Sequence, residues 1–331
     1  MSTRAKALKS LVSVVIPVEP GGSVSSALEA LKALPKAEKA LICEVLVAEG
    51  LNPSRQRNLA LKAARGAFIQ FLDSDSRLMA GALPHLLGAA QGDDVAVVGG
   101  PNVALDDESP AGRAFDRVLG SWLGSFTSAS RYRPLGVRRD CTEKELILCN
   151  LLFRREAYLA LGGLREDLYP NEENELFNRA MDHGWRLVYE PEAEVQRPRR
   201  QTLSAFGFQA FRYGRGRMQQ MRAGFHSSDL INLAPLLLLF AFAAAFSLAC
   251  YHPGRTGRLV QWAGLFVSVA FSSLAWLNAN LTVRLNAWGQ RTHAFLGYHF
   301  RHWGYALGLL SGLFQRSHQR PLEVEIHKAR W

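Results

Sequence analysis

Cysteine is scarce in this chain. There are four in 331 residues (Cys43, Cys141, Cys149 and Cys250), scattered and without the close spacing of a zinc site. That excludes a disulfide framework and a structural zinc module, and it suits reduced thiols in a cytosolic setting. No Walker loop, nucleophile elbow or HExxH occurs, which removes P-loop, serine-hydrolase and zinc-protease chemistry. Internal repeats and low-complexity tracts are missing too. Before about residue 228 the apolar runs are short and broken by charges.

After residue 228 come two long apolar runs, Leu230 to Tyr251 and Leu259 to Leu277, neither carrying a charge. Each is close to the ~20 residues a helix needs to cross a bilayer. Joined by the short "HPGRTGR", they predict a helical hairpin in a membrane. The N-terminal "MSTRAKALKSLVSVVIPV" imitates a signal peptide, but its apolar part is short, β-branched and ended by Pro17. A first buried strand fits it better. The formal net charge of +10 raises nucleic acid as a partner. Its location argues against that, because the densest basic stretch, Arg197 to Arg222, lies just before the first apolar run. Basic flanks mark the cytoplasmic side of a membrane and favour anionic lipid head groups.

Residues 1–200 alternate strand-like and helix-like segments. "LVSVVIPV", "CEVLVAEG", "AFIQFLDSD" and "DVAVVGGP" read as buried strands. Between them lie a helix capped by Ser23 or Ser25, a helix closed by Gly66, and the helix "MAGALPHLLGAA". Such alternation predicts an α/β domain with a mainly parallel sheet and helices on both faces. Residues 102–145 read as a long irregular loop region. "LILCNLLFRR", "EAYLALGG", "NEENELFNRAMDHG" and "WRLVYEPEAEV" then give strand, helix, helix and strand. The expected organisation is a catalytic domain over 1–200, a basic amphipathic interfacial helix over 201–228, and a membrane domain over 229–331. That last domain holds spans at about 230–251 and 259–277. The segment 293–314 contains Arg301 and three histidines, so an interfacial or re-entrant helix is favoured over a third span.

Three groups of residues carry chemistry. Asp73 and Asp75, at a strand end where ligands gather in such sheets, are either an ordinary turn or a pair of oxygen ligands for Mg²⁺ or Mn²⁺. Glu172, Glu173 and Glu175 crowd one helix start. Glu175 and Arg179 stand four apart and suit an ion pair, while crowding would tune Glu172 or Glu173 as a general base. In "QAFRYGRGR", Arg212, Arg215 and Arg217 could hold phosphate or reach lipid head groups. His293, His299 and His302 lie at a membrane interface, where metal binding is not expected.

Taken in order, a sheet-end DxD, an acidic pair about a hundred residues later and QxxRY before membrane helices resemble glycosyltransferase family 2. The resemblance is to the membrane-anchored bacterial members of the succinoglycan glucosyltransferase type, and covers roughly residues 10–225. It implies a GT-A nucleotide-sugar-binding fold and an inverting hexosyl transfer. Pro17, Val18 and Glu19 would border the nucleotide base, and Glu49 would contact it. Arg57 and Asn58 fall in register with an "ARN" segment. Asp73 would face ribose or metal, and Asp75 the metal. "GGPN" and "LCNLLFRR" would line the donor sugar and acceptor. Glu173, beside Glu172, would be the base, and Gln209, Arg212 and Tyr213 would lie near the diphosphate and acceptor. The chain departs from the family pattern in having Glu at 49 and 173 and Tyr at 213. The implied partners are a nucleotide sugar (UDP-linked in such enzymes), membrane lipids, and a lipid-linked saccharide or growing surface polysaccharide, with polyprenyl phosphate as the alternative acceptor. A non-catalytic relative is the other reading. The implied location is the inner membrane, with the catalytic domain in the cytosol and no nucleic-acid partner.

Overall fold

Strand β1 (Val12–Val18) is buried at every position, and the sheet is built outward from it. The computed structural model describes residues 11–251, 254–281, 288–315, 321 and 323–331. Residues 1–10, 252–253, 282–287, 316–320 and 322 lie outside it. The described chain divides into two units. One takes in residues up to Asp107, Thr127–Pro198 and the residues from 321 onward; the other takes in Glu108–Phe126 and residues 199–315.

In the first unit the strands are β1, β2 (Ile42–Gly50), β3 (Phe68–Leu72), β4 (Arg77–Leu78), β5 (Val95–Gly99), β6 (Asn102–Val103), β7 (Arg139–Asp140), β8 (Asn150–Arg154), β9 (Arg186–Tyr189), β10 (Val195–Gln196) and β11 (Val324–Lys328). Eight form a mixed sheet in the order β11-β2-β1-β3-β8-β5-β9-β7; β4-β10-β6 form a small second sheet. β2, β1, β3, β5 and β9 run one way, and β11, β8 and β7 run against them, so the sheet is mostly parallel. Because side chains alternate across a strand, β1 feeds two cores. Val15 packs with residues of α3 (Pro53–Ala63), α7 (Arg155–Ala160) and α8 (Glu172–Asp182). Val12, Val14 and Ile16 pack with α1 (Ser25–Ala33) and α4 (Ala82–Ala89). A large side chain buried this way, such as Phe71 or Phe153, contributes about 1.5–3 kcal/mol over its exposed state.

Several local expectations are corrected. α1 begins at Ser25 after Val24, with no side-chain cap; the Ser25 N–H instead donates to Ser23 Oγ at 3.2 Å. α3 ends at Ala63, and Gly66 does not close it. A Cβ at Gly66 would collide with Ser13 N and Leu11 O, so glycine there lets the chain enter β3 against β1. The tail expected with the membrane domain returns to the sheet: β11 pairs antiparallel with β2, Glu325 opposite Glu49. Its first four residues (Val324, Glu325, Ile326, His327) alternate apolar and polar, a strand pattern whose partner lies far away in the chain.

In the second unit, the region read as loop contains α5 (Pro110–Leu119) and α6 (Trp122–Ser125). Ser109 caps α5 by accepting from the Gly112 N–H at 3.0 Å, and Phe115, Val118 and Leu119 are buried. α9 (Leu203–Ala223) packs along α12 (Trp288–Phe314) through glycines. A Cβ at Gly308 would strike the Phe211 carbonyl, and one at Gly214 the Tyr305 carbonyl. Phe206, within the 201–228 stretch expected to be an interfacial helix, is instead buried and stacked on Phe115 at 4.5 Å. Arg217 is likewise buried rather than reaching outward, 3.7 Å from the fully buried Asp229. α10 (Ala234–Tyr251) and α11 (Arg255–Leu281) carry the two apolar runs. Segments Ser227–Ser247 and Gly257–Leu281 are long and apolar enough to cross a membrane, and α12 is not among them.

Candidate active site

Parallel strands leave their carboxyl ends open, and the candidate residues of the first unit collect there. Asp73 follows directly on β3, and the Ser76 N–H donates to its carbonyl at 3.0 Å, closing the turn that carries Asp75. Beside them α3 begins with Asn52 as its cap, accepting from the Arg55 N–H at 3.1 Å, and projects Arg57. Arg57 Nη2 donates to Asp73 Oδ1 at 2.7 Å, and Nη1 lies 3.7 Å from Glu172 Oε1. One buried guanidinium thus joins the strand-end acids to the helix-start acids.

The start of α8 is held in an unusual backbone. Asn171 has φ +81°, a left-handed conformation that asparagine tolerates better than most residues. It accepts from Asn174 Nδ2 at 2.9 Å, and Arg131 Nη2 donates to Asn174 Oδ1 at 2.7 Å. Glu172 and Glu173 follow, both buried. Burial pushes the Glu172 carboxyl up to about 8, with the neighbouring Glu173 adding to the rise and Arg57 opposing it. Its Oε2 is buried with no hydrogen-bond partner. Glu175, by contrast, takes the Arg179 guanidinium at 2.7 Å, the i,i+4 pair read from the sequence.

Asp73 behaves oppositely to Glu172. Burial alone would raise its carboxyl, but Arg197 and Arg57 outweigh it and hold the group below the usual carboxylate range. Arg197 Nη1 stands 2.9 Å from Asp73 Oδ2 and its Nε 2.9 Å from Asp75 Oδ1. The sequence reading placed this arginine only within a basic membrane flank. Nothing local signals it, because its partners lie some 120 residues earlier.

The oxygen donors of Asp73 and Asp75 suit a hard divalent ion such as Mg²⁺ or Mn²⁺. Asp75 Oδ1 is buried and accepts no aligned hydrogen bond despite lying 2.9 Å from Arg197 Nε. A second acidic group, His85 with Glu190 and Glu192, brings ligand atoms within 4.8 Å of one another, but Glu190 is already taken by Arg138.

At the ends of β1 and β2, Pro17 and Val18 are buried and Glu19 is exposed. Glu49 Oε1 accepts from the Gly21 N–H at 3.0 Å, tying the β1–α1 loop to β2. Gln56, which the sequence reading passed over, locks the same corner: its Nε2 donates to Val18 O at 2.7 Å and to Ala48 O. Asn58 serves the framework, since Oδ1 accepts from Tyr158 Oη at 2.7 Å and from the Leu164 N–H at 2.9 Å. Asn150, in the strand read as lining the sugar, donates to Pro101 O and Ala193 O at 3.0 and 2.7 Å. Gln209, Arg212 and Tyr213 belong to the second unit, on α9. There Gln209 Nε2 donates to Tyr213 Oη at 3.2 Å, one helical turn on.

Residues 9–216 match the family model described as glycosyltransferase like family 2. Over 152 residues the chain is 32% identical to the pre-mycofactocin glycosyltransferase of Mycobacterium tuberculosis, in strains CDC 1551 and H37Rv. That match takes in 46% of this chain and 31% of the relative, so the chain spans under a third of the curated relatives' length. Among solved structures, a mannosyltransferase from Pyrobaculum calidifontis in complex with GDP-Man and Mn²⁺ superposes with a TM-score of 0.53. It covers 92% of this chain and 88% of its own at 15% identity, which shows a shared GT-A fold.

Proposed function

Because the chain belongs to glycosyltransferase family 2, we propose that it moves a sugar from a nucleotide-sugar donor to an acceptor hydroxyl at a membrane, with inversion at the anomeric carbon. The observation that carries this reading is the arginine bridge. Arg57 gathers Asp73, at 2.7 Å, and Glu172, at 3.7 Å, into one cluster at the open end of the sheet. A plain solvated turn has no need of a buried arginine.

The roles divide by chemistry. Pro17, Val18, Glu19 and Glu49 frame the nucleotide base at the ends of β1 and β2. Asp73 and Asp75 hold the divalent ion, which when bound supplies Lewis-acid charge for the departing nucleoside diphosphate. Glu172 and Glu173 cannot easily both carry charge, and the more buried Glu172 retains its proton near neutral pH. Glu173, the more open of the two, takes the proton from the acceptor hydroxyl. Gln209, Arg212 and Tyr213 are assigned to the diphosphate and acceptor on the family motif alone. The Pyrobaculum enzyme of this fold carries GDP-Man and Mn²⁺; a donor and ion of those classes are proposed here on this chain's own acids.

The two apolar helices are proposed to cross the cytoplasmic membrane, with the basic flank and the catalytic unit in the cytosol. An acceptor presented at the bilayer follows, a lipid-linked saccharide or growing polysaccharide, with polyprenyl phosphate the second choice. The test is release of nucleoside diphosphate by membranes holding the full chain, over a panel of UDP- and GDP-sugars. Release from at least one donor, abolished in Asp75→Ala, supports transfer. Donor binding without release from any donor would make the chain a non-catalytic relative.

A further inference from the structure

The two arginines on the aspartate pair are not equivalent. Arg57 is a fixture: its side chain is 5% exposed and it touches Asp73, Glu172 and the Pro53 carbonyl. Arg197 is 27% exposed and follows β10, its backbone N–H donating to Val103 O at 2.9 Å. From that anchor its guanidinium spans both acids, Asp73 Oδ2 and Asp75 Oδ1, each at 2.9 Å. Its contact with Asp75 is close but poorly directed, for the Asp75 oxygen accepts no aligned hydrogen bond.

Both oxygens of Asp73 therefore already face a positive charge, Oδ1 from Arg57 and Oδ2 from Arg197. A divalent ion on this carboxylate would sit in like-charge contact with whichever arginine remained. Arg57 cannot leave without exposing Glu172 and its own buried charge to an unpaired interior, which is costly. Arg197 can, because it is partly solvated and joined to its backbone by a long, flexible stem.

We propose that Arg197 is an internal counter-cation of the Asp73–Asp75 pair, exchanged for the divalent ion when the donor binds. Once displaced, the guanidinium remains tethered beside the site and is matched to the oxygens of a diphosphate, which it contacts in pairs. The donor thus supplies what compensates Arg197 for losing two carboxylates, and metal binding becomes coupled to nucleotide binding. The inference rests on the reading that Asp73 and Asp75 hold the ion.

Mn²⁺ binding to the detergent-solubilised full chain, followed by electron paramagnetic resonance, tests it without turnover. The wild type is expected to bind Mn²⁺ weakly alone and at least tenfold more tightly with UDP or GDP. Arg197→Met is expected to bind Mn²⁺ alone at least tenfold more tightly than the wild type, with the nucleotide enhancement largely lost. Arg197→Lys, which keeps the charge but not the two-pronged reach, falls between them. Equal Mn²⁺ affinity in wild type and Arg197→Met, with binding lost in Asp75→Ala, overturns the exchange and leaves the metal site standing. Binding that survives Asp75→Ala, or is absent from every protein with and without nucleotide, removes the metal reading and the exchange with it. Should Arg197→Met fail to fold, an Arg197→Lys protein that binds Mn²⁺ no more tightly than the wild type overturns the exchange.

Discussion

The candidate site of the first unit and the helices α10 and α11 of the second break opposite rules. At the candidate site, ionisable side chains are taken out of water: Arg57, Glu172 and Glu173 are all buried. On α10 and α11, large apolar side chains stay outside, with Phe246 73% and Phe266 74% exposed. A buried charge is tolerated only with a partner, and Arg57 has Asp73 at 2.7 Å and Glu172 at 3.7 Å. An exposed apolar face marks a membrane or a partner surface, and the length and hydropathy of these two helices are the argument for the bilayer proposed above. On the proposed reading, one region departs from the norm for chemistry and the other for location.

The largest effect that would sharpen this contrast is on the buried acids. Glu173→Gln keeps shape and removes the basic oxygen, so turnover should fall by about 10²–10⁴ with nucleotide binding nearly unchanged. Nucleoside diphosphate release and nucleotide titration measure the two; unchanged turnover would remove Glu173 from the base role. Next comes a charge placed on the exposed apolar face. Val269→Arg, near the middle of α11, should cost about 2.5–3.5 kcal/mol of insertion and shift the protein out of the washed membrane fraction. An exposed position of a water-soluble helix would give up no more than about 0.5 kcal/mol, and unchanged fractionation would count against the bilayer.

Two smaller effects compare glycines and protons. Gly308→Ala drives a methyl into the Phe211 carbonyl and should destabilise the α9–α12 pair by about 1–3 kcal/mol. Gly264→Ala meets nothing nearer than Ala245 Cβ at 4.0 Å and should gain up to about 1 kcal/mol of helix stability. Melting temperatures of opposite sign are the expected result. For Glu172, the folded state binds its proton more tightly than the unfolded chain. Between the ordinary value of 4.5 and about 8, the native state therefore holds more protons, and this group's contribution makes stability fall as pH rises through that window. Glu172→Gln should flatten that fall and melt above the wild type at pH 8.5. An unaltered slope would mean that Glu172 is not the proton-holding member of the pair.

The elements that could be read in advance are those whose pattern is contained within a few residues. β1 and β3 are unbroken or nearly unbroken apolar runs, and α8 opens on a cluster of acids. α5 reads as loop from the sequence because it is short and sits among serines, glycines and aspartates. β11 has the alternation of a strand, but a strand is only a strand beside a partner, and β2 is far away in the chain. Phe206 and Arg217 looked like membrane-surface residues because their burial depends on Phe115 and Asp229, which no helical periodicity reveals.

By itself the sequence determined the alternation of strands and helices, the two apolar runs, and the placing of Asp73, Asp75, Glu172 and Glu173 at element ends. These follow from periodicity and local polarity, which act over single turns and strands. Only the tertiary structure decided that Arg57 bridges the two acidic groups, that Glu172 is buried deeply enough to keep its proton, and that Arg197 covers the aspartate pair. Those outcomes depend on which distant segments the folded sheet brings within a few ångströms, and on the water excluded when it does.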